Sequence, residues 1–161
     1  MQSYTYGEVT IPQIAEILLD YAAKNRGAKL NLVVGTDSQT ESKTKVVVVI
    51  ALHHVGHGGF FFHETQVLPR IRNLRQKLQY ETQQSLECID ALMAELEKAG
   101  EKRGLDPHDL FQYAIHVDAG ENGPTMQLIP ELVGWVRACG YEAVTKPKSY
   151  AASTLADTLS K

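Results

Sequence analysis

The chain has 161 residues, of which 43% are hydrophobic and 22% are charged, and its formal net charge is −3. That length predicts a single domain, residues 1–161, and no apolar run approaches the roughly 20 residues that cross a membrane. The start of the chain lacks the basic and apolar regions of a signal peptide, so we expect a cytoplasmic protein with no membrane partner.

The first half of the chain predicts one helix followed by three antiparallel strands. Thr10 caps a helix over residues 10–25, because Gln13 completes a capping box and an apolar stripe follows. Runs of β-branched and aromatic residues, separated by polar turns, predict strands at 30–39, 45–54 and 58–67. Residues 1–28 would then be a helical extension to a core of residues 29–161.

The second half predicts helices that alternate with strands. Helical spacing over residues 70–100 predicts a long crossover helix that starts after Pro69 and breaks near Tyr80, since about 30 residues exceeds the usual globular length. A strand at 111–120, a helix at 125–139 kinked at Pro130, a strand at 141–145 and a last helix at 150–161 follow. A crossover helix lets the fourth strand return parallel to the first. The predicted fold class is therefore α/β, with a five-stranded mixed sheet in the order 3-2-1-4-5 flanked by helices.

Two predicted strands end in an aspartate. Asp37 follows the apolar run of LNLVVGTDSQ, and Asp118 follows that of FQYAIHVDAG. Parallel neighbours lie about 4.8 Å apart with their carboxyl ends at one edge of the sheet, so these carboxylates would meet. Two carboxylates that close stay ionised only beside a positive charge, for which a divalent cation is the natural candidate. Taken singly, each aspartate is better explained as a turn former, and only the two together, with Asp157, favour a site.

Three segments, GTDSQ, HVDAG and STLADTLSK, resemble the ribonuclease-H-like superfamily, and HVDAGENG with KPKSYAASTLAD is similar to its YkuK-type bacterial family. The resemblance covers Leu30 to Lys161, so the N-terminal helix is extra to the fold it implies. It implies a nuclease that uses two Mg²⁺ or Mn²⁺ ions to hydrolyse phosphodiester bonds in RNA, an RNA–DNA hybrid or branched DNA. Asp37 would bridge both ions, Asp118 would hold the ion at the attacking water, and Asp157 would hold the other.

The fourth carboxylate implied by the resemblance should come from the crossover helix, where Glu81 and Glu87 compete. Glu81 shares the sheet-facing stripe of Leu78 and Ser85, whereas Glu87 falls away from it, so we choose Glu81. Glu81 is equally explained as a solvated partner of Lys77. Ser38 and Gln39 follow Asp37 where an exonuclease of this superfamily would carry D-x-E, which disfavours that subtype.

Basic residues flank two of these carboxylates and are candidates for binding nucleic-acid phosphates; a solvated helix face explains the first four as well. They are Arg70, Arg72, Arg75, Lys77, Lys146 and Lys148. The net charge of −3 argues only weakly against such a partner, since acidic residues that bind metal no longer repel phosphate.

Other patterns predict no chemistry. His53, His54, His57 and His63 are interpreted as surface residues and not zinc ligands, because neighbours alternate between strand faces and no cysteine is near. Cys88 and Cys139 are interpreted as buried thiols. Two functions rival the nuclease: a non-catalytic nucleic-acid-binding or assembly module that keeps the fold, and a small-molecule phosphohydrolase.

Overall fold

The structure is a computed structural model that describes residues 1–151 and Ala156. Its strands and helices follow in chain order. They are β1 (Gln2–Ser3), β2 (Gly7–Glu8), α1 (Ile11–Lys24), β3 (Leu30–Thr40), β4 (Lys43–His54), β5 (Gly58–Pro69), α2 (Leu74–Arg103), α3 (Pro107–Leu110), β6 (Gln112–His116), a 3₁₀ turn (Met126–Leu128), α4 (Ile129–Ala138) and β7 (Glu142–Val144).

Within these described residues, seven strands form one mixed sheet in the order β2-β1-β5-β4-β3-β6-β7. The predicted five-stranded sheet is therefore wrong in strand number and in overall order. The hairpin β1–β2 adds to the sheet through the pairing of Gln2 with His63, and strands of two residues are too short to show an alternating pattern. Beyond the hairpin, β3 is antiparallel to β4 and parallel to β6, so the two strands that carry the aspartates are neighbours.

Both faces of the central strands are covered, which accounts for their uninterrupted apolar runs. On one face, Leu32 and Val34 join the larger apolar cluster with the buried stripes of α1 and α2. On the other face, Val33 and Val47 join a smaller cluster that includes Ala151 and Ala156. The remainder of the predicted last helix, with Asp157, lies outside the described residues.

The helices differ from prediction at their ends. α2 is one uninterrupted helix of 30 residues, with no break at Tyr80; it starts at Leu74, where the Asn73 side chain caps it, and Pro69 ends β5 instead. Packing against β3 and α1 stabilises this length beyond what helix propensity alone supports. Pro130 lies in the first turn of α4 and does not kink it, because an early proline loses no helical hydrogen bond.

The two cysteines differ in burial. Cys88 is half-buried, but Cys139 is exposed just past α4, so the prediction of a buried thiol is wrong for Cys139. Within the part of the chain that the structure describes, no helix combines the length and apolarity of a membrane span.

Two helical glycines give a matched test of how the end of α2 docks. A Cβ on Gly100 would lie 2.5 Å from the backbone oxygen of Leu105, whereas a Cβ on Gly134 in α4 would meet nothing within 4 Å. We expect Gly134→Ala to stabilise the fold by up to about 1 kcal/mol through helix propensity. Gly100→Ala should instead destabilise it by about 1–3 kcal/mol, because the backbone must shift. Urea unfolding of both variants measures the difference, and equal stabilisation by both would contradict the close packing at Gly100.

Candidate metal centre

The parallel β3–β6 pair places two aspartates at the same end of the sheet. Its parallel register ends with Gly35 opposite His116, and Asp37 and Asp118 each follow that pair by two residues. Asp37 is still in β3, whereas Asp118 lies two residues past the end of β6, so the pairing brings both carboxylates to the same end of the sheet. Asp37 still lies in the antiparallel ladder, opposite Val47, and is only 2% exposed.

Helix α2 brings a third carboxylate to this point. One carboxylate oxygen from each of Asp37, Glu81 and Asp118 lies within 4.8 Å of the others. Glu81 is 4% exposed, whereas Glu87 is exposed and accepts a hydrogen bond from Gln83 on its own helix. Of the two glutamates that compete in the sequence, the structure therefore brings Glu81, and not Glu87, to the aspartates.

The Glu81 carboxylate is only partly satisfied by its surroundings. Ser38 Oγ donates a 2.6 Å hydrogen bond to Glu81 Oε1, but Oε2 is buried and has no hydrogen-bond partner among the described residues. The pKa of Glu81 is raised from 4.5 to about 8, chiefly because burial penalises the charged carboxylate; the hydrogen bond from Ser38 and the charge of Lys77 lower this pKa, and the charges of Asp37 and Asp118 raise it. A buried carboxyl oxygen without a partner is a position for a proton or a cation.

A layer of hydroxyl groups holds α2 against β3 beside the carboxylates. Thr36 Oγ1 and Ser85 Oγ lie 2.7 Å apart, one helical turn beyond Glu81, and both side chains are buried. Sequence reasoning used Ser85 only as a marker of the helix face and missed Thr36 and Ser38 as partners. The available signal was the polar GTDS segment interrupting an apolar strand, since buried hydroxyls need partners.

The loop after β7 adds a lysine to the cluster. Lys146 Nζ lies 2.9 Å from Asp118 Oδ1, and the Lys146 backbone N–H donates to Ala119 O at 2.9 Å. One residue pair earlier, the Val117 N–H donates to Val144 O at 2.8 Å, so the contact between β6 and β7 continues into the site. Lys146 is a candidate phosphate ligand from its sequence position, but in the structure its ammonium contacts a carboxylate of the cluster.

The other candidate phosphate-binding residues lie at the surface. Arg70, Arg72 and Lys148 are exposed, and Lys77 is half-buried one turn before Glu81. Arg75 forms an ion pair with Glu131 of α4, so it would have to leave that partner to bind a phosphate.

The structure changes the interpretation of two histidines, His54 and His116. His54 is buried and lies 2.6 Å from the Tyr21 hydroxyl, so its interpretation as a surface residue is wrong. His116, which sequence reasoning did not single out, accepts the Ala151 N–H on Nδ1, and burial lowers the pKa of its imidazole to about 4. Within the described ranges, no group of three histidine or cysteine ligands forms a zinc site.

The donor set fits a hard divalent cation. All three converging groups are carboxylates, and oxygen ligands suit Mg²⁺ and Mn²⁺, whereas zinc sites favour nitrogen and sulfur. The partnerless Glu81 Oε2 supplies a ligand position that no described protein group fills.

Comparison with known proteins agrees with this architecture. The family model described as Ribonuclease H-like matches residues 13–161. The chain is 30% identical over 165 residues to the protein named "Uncharacterized protein YkuK" of Bacillus subtilis (strain 168). The aligned region covers 96% of this chain and 92% of that protein. The comparison with solved structures found no match to this chain. The chain has a carboxylate cluster at the end of adjacent parallel strands, and it matches the family over nearly all its length. It therefore belongs to the ribonuclease-H-like family and is of the YkuK type.

Proposed function

We propose that this protein is a metal-dependent nuclease that hydrolyses phosphodiester bonds in RNA, an RNA–DNA hybrid or branched DNA. One observation carries the proposal. Glu81, buried between α2 and the sheet, keeps an unpaired Oε2 beside two aspartates, an arrangement that is unfavourable without a cation or a proton. A carboxylate used only to stabilise the fold would be expected to have both oxygens hydrogen-bonded.

Asp37, Glu81 and Asp118 would hold Mg²⁺ or Mn²⁺ through their carboxylate oxygens. Asp157 is proposed as the fourth ligand from the family resemblance alone, because it lies outside the described residues. When bound, such ions polarise the phosphate and provide a nucleophilic water at neutral pH.

The chain's own groups would orient that chemistry. Ser38 fixes one oxygen of Glu81 by its hydrogen bond, which leaves the other oxygen as the ligand atom. The rigid β3–β6 pair fixes the separation of Asp37 and Asp118, and catalytic geometry depends on such preorganisation.

Nucleic acid would approach over the amino end of α2. Arg70, Arg72 and Lys77 lie on the segment that leads into Glu81, and Lys148 lies on the loop that carries Lys146. Contacts of these cations with phosphate would supply affinity and position the scissile bond, but no sequence preference.

The first test of the proposal is chemical. Asp37→Asn should reduce cleavage of labelled RNA, hybrid and branched DNA by at least about a hundredfold in Mg²⁺ or Mn²⁺, because a lost ligand removes several kcal/mol of transition-state stabilisation. Binding of the same substrates should survive. Asp109→Asn, which removes an exposed carboxylate on α3, is the matched control and should cleave like wild type. If wild type cleaves nothing on this panel in either metal, the nuclease proposal is wrong, and retained binding would favour a nucleic-acid-binding module.

The second test uses the titration of Glu81 in EDTA. Its pKa is raised from 4.5 to about 8, so between these values the folded state keeps a proton that the unfolded chain has lost, and stability falls as pH rises. Glu81→Gln lacks this group. The free energy of unfolding of the variant should therefore exceed that of wild type by an amount that grows with pH, reaching on the order of 3–5 kcal/mol above pH 8.

Urea unfolding at pH 5, 6.5 and 8 measures this difference, with the exposed Glu87→Gln as matched control. Mg²⁺ should stabilise wild type more than Glu81→Gln at pH 8, since a ligand of the native state alone raises stability. Parallel pH profiles for wild type and Glu81→Gln would show that Glu81 is not the buried, unpaired group described above.

The third test concerns the nucleic-acid track, the exposed and half-buried cations Arg70, Arg72, Lys77 and Lys148 that would bind phosphates. Arg72→Glu should weaken binding of a labelled hybrid by roughly two- to tenfold at low salt and reduce the salt slope by about one, because one phosphate contact is lost. Lys102→Glu makes the same charge change at the other end of α2, a 30-residue helix about 45 Å long. Fluorescence anisotropy from low to moderate salt separates the two variants, and equal losses would place the track elsewhere.

A further inference from the structure

Both the backbone and the side chain of Lys146 make contacts beside the carboxylate cluster. The Lys146 backbone N–H donates to the carbonyl oxygen of Ala119, the residue after Asp118, and a Cβ added to Gly120 would lie only 2.9 Å from the Lys146 Cβ. Glycine at position 120 therefore leaves the space that the lysine uses. The Asp118 side chain that it contacts is 18% exposed, whereas that of Lys146 is 47% exposed.

The ammonium of Lys146 contacts Asp118, one of the three carboxylates proposed to bind the metal. The ammonium lies 2.9 Å from Asp118 Oδ1, and one Asp118 oxygen also lies within 4.8 Å of oxygens of Asp37 and Glu81. A cation that enters this cluster meets the field of the ammonium and needs the same carboxylate. The two positive groups therefore oppose each other at short range.

We propose that Lys146 competes with the divalent cation for Asp118 and that its ammonium, once displaced, contacts the phosphate of bound nucleic acid. The inference rests on the proposed metal site and assigns to Lys146 a role that the cluster alone does not require. Its exposed side chain extends from a loop at the rim of the site, so the ammonium can leave Asp118 without unfolding its own backbone contact. The pair would thus make phosphate binding by Lys146 conditional on metal binding.

The first experiment measures metal binding without nucleic acid. Calorimetric titration of Mn²⁺ into the full chain should show affinity about three- to fivefold tighter for Lys146→Met than for wild type, the upper part of the range expected for releasing one partly exposed ion pair. Lys146→Arg keeps the charge, and Lys148→Met removes one charge two positions away; both should bind Mn²⁺ within about twofold of wild type, since exposed charges are screened. Unchanged affinity in Lys146→Met, or equal tightening in Lys148→Met, would overturn the proposal.

A measurement on wild type covers the case in which Lys146→Met does not fold. The ¹⁵Nζ resonance of Lys146, identified by its loss in Lys146→Arg, should shift when Mg²⁺ is added, whereas that of Lys148 should not. A Lys146 resonance that stays in place at saturating Mg²⁺ would mean that the ion pair survives metal binding.

The second experiment separates binding from cleavage. With Ca²⁺ in place of Mg²⁺, Lys146→Met should bind a labelled RNA–DNA hybrid several-fold more weakly than wild type, and in EDTA the two proteins should bind alike, because Asp118 then holds the lysine. Equal losses in Ca²⁺ and EDTA would reduce Lys146 to an ordinary phosphate contact.

These outcomes also distinguish the two proposals. If Asp37→Asn loses Mn²⁺ binding while Lys146→Met matches wild type, the metal site stands and the role of Lys146 falls. If wild type shows no Mn²⁺ binding, both fall.

Discussion

The parallel pairing of β3 with β6 is the constraint on which the candidate site depends. Because Gly35 lies opposite His116, Asp37 in β3 and Asp118, two residues past the end of β6, come to the same end of the sheet, where they meet. An antiparallel β6 would carry Asp118 to the opposite edge of the sheet. Parallel neighbours need a long connection, and α2 provides it. The helix that makes this topology possible also carries Glu81 to the two aspartates.

The site is also defined by how it limits like-charge repulsion. Three carboxylates within 4.8 Å repel one another strongly where little water screens them. Three features reduce that repulsion in the protein alone: the raised pKa of Glu81, the Ser38 hydrogen bond and the ammonium of Lys146. None of them gives Glu81 Oε2 a partner. These features reduce the repulsion within the cluster but leave the second Glu81 oxygen without a hydrogen bond from the described residues.

Family membership and site geometry support different parts of the functional argument. The match over residues 13–161 establishes the ribonuclease-H-like family, but a fold hosts many functions. Glu81 is what points to a function, because a helix face that only packed against the sheet would carry an apolar residue at a position 4% exposed. Retaining a partly satisfied carboxylate there opposes folding stability, and metal binding supplies a physical reason for it.

The sequence by itself determined which segments are buried strands and which carboxylates could meet. The apolar runs before Asp37 and Asp118 predicted central strands, and the spacing of Glu81 with Leu78 and Ser85 predicted its sheet-facing side, because these patterns follow from local periodicity. Only the tertiary structure decided the two-residue strands β1 and β2, the burial of His54 and the pairing of Lys146 with Asp118. Those features depend on contacts between residues far apart in the chain, which leave no periodic signal in either segment.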